Sequence, residues 1–186
     1  MNDSHALQRE RSLLTRRQLV QLGTFACGTA MAARALALES TDRISHSAES
    51  IHQEPVFAAK RPRLYRALTD AAQFDQVVAL SAAGHSMTTG GQPAQISARA
   101  GGAFSLFGGY ISGRFIELIP DALIVQAWRA GSWDRGIYSV ARFEFQDKGG
   151  GSRVVFDHAG FPVGQADHLA QGWYANYWDP LHKLLT

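Results

Sequence analysis

At 186 residues, with 46% hydrophobic side chains and a formal net charge of +2, the sequence has the length of one domain plus a short extension. Its one cysteine, Cys27, excludes a disulfide framework and a thiolate metal site. The slight positive balance comes from the N-terminal stretch, so it gives no argument for a nucleic-acid partner.

Residues 15–21, Thr15-Arg16-Arg17-Gln18-Leu19-Val20-Gln21, set two adjacent arginines before an uncharged run over 18–33 that Arg34 closes. The run is short of the roughly 20 apolar residues a bilayer span needs. Ala35-Leu36-Ala37 then supplies small residues at the spacing a signal peptidase reads. The stretch resembles a twin-arginine (Tat) export signal, with Leu19 where phenylalanine is common. The expected organisation is a signal over 1–37, a flexible polar lead over 38–50 and one domain over 51–186. The expected location is the periplasm or outside the cell, with no stable membrane span after cleavage. Removing residues 1–37 takes five of the 18 basic and two of the 16 acidic residues, which leaves a net charge of −1. Cys27 leaves with them; Thr24-Phe25-Ala26 is a poor lead-in for lipid attachment at that cysteine.

In chain order, 51–57 reads as a first strand, with Pro55 marking an edge or bulge. Pro62 suits the start of a helix whose apolar face is Leu64, Tyr65 and Leu68. Asp70 is placed to cap a second helix over 71–80, with Phe74, Val77 and Val78 inward. Residues 81–95, rich in Gly, Ser and Thr, predict a loop with a short strand around 85–88, followed by an extended piece over 96–99. Between 101 and 133, glycine and Pro120-Asp121 punctuate three strands of alternating apolar residues, an antiparallel meander. A strand over 137–146 puts Ile137, Ser139, Ala141, Phe143 and Phe145 on one face. Lys148-Gly149-Gly150-Gly151 predicts a hairpin turn into a strand over 152–159, with Val154, Phe156 and His158 on one face. Asp167 is placed to cap a last helix in which Leu169, Trp173, Tyr177, Leu181 and Leu184 form one stripe. Pro180 predicts a kink or division near Asp179. The fold class is therefore α+β: a curved antiparallel sheet around a long C-terminal helix, with two short helices after the first strand.

That order, with several motifs, resembles the SRPBCC (START-like, helix-grip) superfamily. Within it the likeness is to the C-terminal domain of the activator of heat-shock protein 90 ATPase and its bacterial single-domain relatives. It is carried by Leu64-Tyr65-Arg66-Ala67-Leu68-Thr69, Gly101-Gly102-Ala103-Phe104, Gly109-Tyr110-Ile111-Ser112-Gly113-Arg114-Phe115, Leu118-Ile119-Pro120 and Trp128-Arg129. Ser132-Trp133, Gly136, His158, Gly160, Pro162 and Gln171-Gly172-Trp173 continue it. The likeness spans about 51–185. Many bacterial relatives carry a tryptophan where this chain has Val77 or Val78, and Pro180 is not expected of the family's last helix. The resemblance implies a helix-grip fold and a habit of holding hydrophobic ligands. The eukaryotic co-chaperone has a separate N-terminal domain with no counterpart before 51 here. That absence and the expected export make a chaperone partner an unfavoured expectation.

The expected site is a cavity between sheet and last helix, lined by Phe104, Phe115, Gln126, Trp128, Phe143, Phe156, His158, Trp173 and Tyr177, and holding a small hydrophobic molecule. In it Gln126 is a buried amide that could orient a ligand carbonyl. His158 is the weak candidate for acid–base work in an alternative reading, a cyclase-, hydrolase- or isomerase-like enzyme. Its competing reading is a histidine hydrogen-bonded at the end of the sheet. Asp157 points to the opposite face and cannot pair with it there. His158, His168 and His182 lack close metal-ligand spacing, so no metal and no cofactor are expected. A third reading, a protein-interaction domain, needs an exposed aromatic patch around Trp178. Lys60, Arg61, Arg63 and Arg66 read as a solvated basic face. No phosphate loop, nucleophile elbow or paired carboxylates stand at a useful spacing.

Overall fold

The alternation of apolar and polar residues becomes an eight-stranded antiparallel sheet in the computed structural model, which describes residues 49–86 and 91–186. The expected export signal, Cys27 and most of the 38–50 lead lie outside the described residues. The strands are β1 (Ser50–Gln53), β2 (Val56–Phe57), β3 (Gln95–Ile96), β4 (Ala103–Leu106), β5 (Ile111–Ile119), β6 (Leu123–Ala130), β7 (Ser139–Lys148) and β8 (Gly151–Ala159). Their order is β1-β8-β7-β6-β5-β4-β3, with β2 also paired to β8. β1 and β2 are thus one expected strand broken at Glu54-Pro55, because proline has no N–H to give the ladder. The strand expected over 137–146 starts at Ser139, and Ile137 is 40% exposed.

One face of the sheet carries the core: Phe104 and Leu106 on β4, Phe115 on β5, Ile124, Gln126, Trp128 and Ala130 on β6, Phe143 and Phe145 on β7, Phe156 and His158 on β8. Gly113 faces Phe104 and Trp128 in register. A Cβ there would lie 2.4 Å from the Phe104 ring and 2.0 Å from the Ala127 carbonyl, so the ring occupies the space that only glycine leaves. A bulge at Ile116, between the paired Phe115 and Glu117, bends β5 and helps curve the sheet.

Helices α1 (Arg61–Thr69) and α2 (Ala71–Ala79) follow β2, and the Gln73 N–H donates to the Asp70 carboxylate at 2.9 Å. Of the short strand expected around 85–88, residues 87–88 lie outside the described residues, and 85 and 86 instead end a helix, α3 (Ala82–Ser86). Its Ser81 hydroxyl accepts from the Gly84 N–H at 2.9 Å, the local bond that favours a helix start over a ladder.

The C-terminal helix runs through α4 (Ala166–Trp173), a π-helical turn over Tyr174–Trp178, and α5 (Asp179–Leu184). Asp167 does not cap it. Gln165 holds the cap position without a capping bond from its side chain, and the Glu49 carboxylate accepts from the Gly164 and Ala166 N–H groups at 2.9 and 3.3 Å. The wide turn answers Pro180, which cannot donate to a carbonyl four residues back. The Asp179 N–H instead reaches Tyr174, five residues back. It also absorbs the drift of a stripe spaced by fours on a helix of 3.6 residues per turn. Gln53 fastens this helix to the sheet edge. Its amide oxygen accepts from the Trp178 indole at 2.6 Å, and its nitrogen donates to the Ala170 carbonyl at 3.0 Å.

Candidate functional site

The centre of the concave face is filled. Trp173 and Trp178, both buried, lie 5.9 Å apart and 22° from parallel, over Phe143 and Phe156. Phe156 is 4.4 Å from Trp173 and 4.9 Å from Phe143 by ring centroids. Trp178 is fully buried and contributes no exposed ring to an aromatic patch around it, whereas Tyr174 on the same turn is 48% exposed.

A cavity of about 240 Å³ opens at one end of the sheet, where the β4–β5 turn and the β6–β7 loop meet the first turns of the C-terminal helix. Ile111, Trp128 and Ala130 form its sheet wall, and Leu169, Gly172, Trp173, Asn176 and Tyr177 its helix wall. Phe107, Tyr110, Ser132, Trp133, Gln165, His168 and Ala83 complete it. Tyr110, half exposed, stands at the mouth, with its hydroxyl 3.1 Å from that of Ser132. The Trp133 indole donates to the Gln165 amide oxygen at 2.8 Å, and Asn176 accepts from the Ala83 N–H at 2.8 Å.

Phe107 reaches the cavity by a strained backbone. Its φ of 52° lies in the left-handed region, at a cost of about 1–3 kcal/mol for a bulky residue. Contacts 5.5 Å from Phe74 and from Tyr177 hold it there, and Gly108 and Gly109 continue the turn at positive φ. Gly172 is the other unusual wall residue. A side chain built on it meets no atom within 4 Å, so packing does not demand a glycine in this helix interior. Glycine there costs about 0.5–1 kcal/mol relative to alanine and leaves the space beside it open.

Of the expected lining residues, Trp128, Trp173 and Tyr177 come together on the cavity wall. Phe143 and Phe156 lie in the packed layer against Trp173, and Phe104 and Phe115 pack on one another at 5.4 Å. Gln126, 6% exposed, sits in register between Phe115 and Ala141, outside these walls. Alternation assigns a face but not a position along it, and the two indoles take up the middle.

His158 lies in the core with both ring nitrogens engaged. The Trp173 indole, which can only donate, gives its N–H to Nδ1 at 3.0 Å. The proton therefore sits on Nε2, which donates to the Ser139 hydroxyl at 2.7 Å, and Ser139 donates to the Trp128 carbonyl at 3.1 Å. Burial pushes the ring's pKa down to about 4. No lone pair faces the cavity, so the geometry matches a structural histidine that orients Trp173. Among the described residues, no three His, Cys, Asp or Glu side chains gather as a metal site would require.

Two cavity-wall groups have unused hydrogen-bonding capacity. Trp128 Nε1 and Tyr177 Oη are buried and lack a hydrogen-bond partner among the described residues. Burial drives the Tyr177 pKa up, and the Trp128 indole N–H opposes this without reaching hydrogen-bond geometry. Phe107, Tyr110, Gly172 and Asn176 were missed as site residues in the sequence. A visible signal existed for Gly172, a glycine inside an amphipathic stripe.

The family model described as Activator of Hsp90 ATPase homolog 1-like protein matches residues 58–186. The human activator of 90 kDa heat shock protein ATPase homolog 1 is 33% identical over 91 residues, which are 49% of this chain and 27% of that protein. The mouse homolog 2 is 29% identical over 93 residues, 50% of this chain and 28% of that one. The chain thus spans about a quarter of the length of these curated relatives. Among solved structures, an HSP90 activator from Plasmodium falciparum superposes with a TM-score of 0.64 at 24% identity, covering 73% of this chain and 95% of that one. CalU16 from Micromonospora echinospora gives 0.59 at 19% identity, over 75% and 77%. Both likenesses speak to the fold.

Proposed function

This chain belongs to the Activator of Hsp90 ATPase homolog 1-like family, and from that premise we propose that it is a binding domain for a small hydrophobic molecule. The observation that carries this reading is the aromatic-walled cavity of about 240 Å³ beside Trp128, Trp173 and Tyr177. Apolar walls with a few polar groups are the usual design of a small-molecule site. The twin-arginine stretch supports a periplasmic or secreted setting, in which cytosolic chaperones and ATP are absent and nucleic acid is not a partner. His158, with both nitrogens occupied, offers the alternative enzyme reading no acid–base group. The heat-shock-protein activators among its relatives favour a second reading, a protein-interaction domain. It is distinguished by whether binding needs the cavity or the outer surface.

Toluene tests the cavity directly, and three of the four tryptophans stand on its wall as reporters. Titrating the full chain with toluene is expected to change tryptophan fluorescence saturably. Gly172→Ala is expected to keep this response and to raise stability by about 0.5–1 kcal/mol, measured by urea unfolding. Gly172→Leu is expected to abolish the response while retaining the fold, because its side chain enters the open volume. A wild-type chain with no saturable response would sink the reading.

A further inference from the structure

We propose that the molecule held in this cavity is neutral, built on a single ring, and presents one acceptor oxygen, a carbonyl, to the Tyr177 hydroxyl. This rests on reading the cavity as a ligand site. The argument begins with donors. The Trp128 indole can only donate, so it offers the Tyr177 hydroxyl proton no acceptor. The Tyr177 hydroxyl proton is then left without an acceptor among the described residues. Burial raises the pKa of this hydroxyl, so it keeps its proton and acts as a donor. A buried donor left unmade is costly, and a ligand that supplies an acceptor removes that cost.

Charge narrows the class further. Among the described residues, the cavity wall contains no Lys, Arg, Asp or Glu, and His168 is exposed at its rim. A buried carboxylate would lack a cation to pair with, and a buried ammonium would lack an anion. A neutral carbonyl needs neither.

Size sets the scale. An apolar cavity of about 150 Å³ holds benzene, whereas drug-sized ligands fill roughly 300–1,000 Å³. At about 240 Å³, the space fits one ring with a short substituent. The rings of Phe107, Trp128, Trp173 and Tyr177 give such a ligand aromatic contacts on several sides.

The test compares three probes on the full chain by calorimetric titration: acetophenone, α-methylstyrene, in which a methylene replaces the carbonyl oxygen, and benzoate. Acetophenone is expected to bind at least about tenfold more tightly than α-methylstyrene, and benzoate more weakly than either. In Tyr177→Phe the preference for acetophenone is expected to fall below about threefold, with α-methylstyrene affinity unchanged. This variant removes an unpartnered hydroxyl, so its melting temperature without ligand is expected to hold or rise; a fall would reveal a structural partner and overturn the inference. Equal binding of acetophenone and α-methylstyrene to the wild type, or a preference that survives Tyr177→Phe, would also overturn it while leaving the cavity reading intact. Failure of all three probes, together with toluene, would overturn both.

Discussion

Replacing Trp173 with alanine is expected to lower the unfolding free energy by about 3–5 kcal/mol, the range for truncating a large buried aromatic residue. Trp173 is 2% exposed. Its ring lies 4.2 Å from Tyr177, 4.4 Å from Phe156, 5.7 Å from Phe143 and 5.9 Å from Trp178 by centroids. Its indole N–H is the partner of His158 Nδ1. The truncation therefore opens a void and leaves a buried nitrogen unpaired. With domain stabilities of roughly 5–15 kcal/mol, the variant stands close to the unfolding threshold. Trp173→Phe separates the two contributions: it keeps much of the ring volume and loses the donor, which costs about 1–3 kcal/mol. Urea denaturation measures both. A loss below about 1 kcal/mol for Trp173→Ala would mean that this ring does not anchor the helix to the sheet.

The second large effect is on pH. The folded-state pKa of His158 is about 4, against 6.5 for the free side chain, and the cause is burial. Between these values the unfolded chain binds a proton that the folded chain refuses. Stability is therefore full above about pH 6.5 and is lost as pH falls toward 4, by about 3 kcal/mol over the interval. Among the described residues, the groups around the ring are Ser139, Trp128, Trp173, Phe156 and Phe161, none of them charged, so none of them compensates an imidazolium. On the outer face His52 works the other way. Hydrogen bonding to Asp157, at 2.7 Å, raises its pKa, so its contribution is present at low pH and lost as pH rises. Glu144 is held low by Gln146 and Arg142, and its contribution fades only below the ordinary glutamate range. Unfolding free energies measured from pH 8 to 4, with NMR of the His158 ring, check this. A flat profile from 6.5 to 4, or a ring that titrates near 6.5, would contradict the buried neutral histidine.

The fold was largely legible because its signals are local. Alternation in 103–106, 111–119, 123–130 and 151–159 marks strands, Asp70 marks a cap, and the Leu169-Trp173-Tyr177-Leu181 stripe marks the helix that the sheet curves around. Signals that depend on distant partners were hidden. Glu49 caps a helix more than a hundred positions away, so Asp167 was the natural local candidate and the wrong one. Gln53 gave a faint sign, a polar residue two positions after inward Ile51, but its partners Trp178 and Ala170 lie in the last helix. The cavity was legible only in part. Periodicity names the residues that face inward, and six of the nine expected lining residues do so without touching the open space. Which stretch of the face stays empty depends on where the Trp173 and Trp178 rings settle. That depends on a π turn whose sequence signs are the spacing by fours and Pro180.

Phe107 at positive φ, Gly172 in a helix interior and the unpartnered Tyr177 hydroxyl each carry a local cost, and all three line the same cavity. Local rules broken together at one place are what a site requires, since core packing alone would remove each of them. Native mass spectrometry of the protein purified gently from cells, wild type beside Gly172→Leu, tests this most directly. The expected result is a defined small added mass on the wild type that vanishes on denaturation and is absent from Gly172→Leu. Bare masses for both proteins, or the same added mass on both, would contradict a ligand held in this cavity.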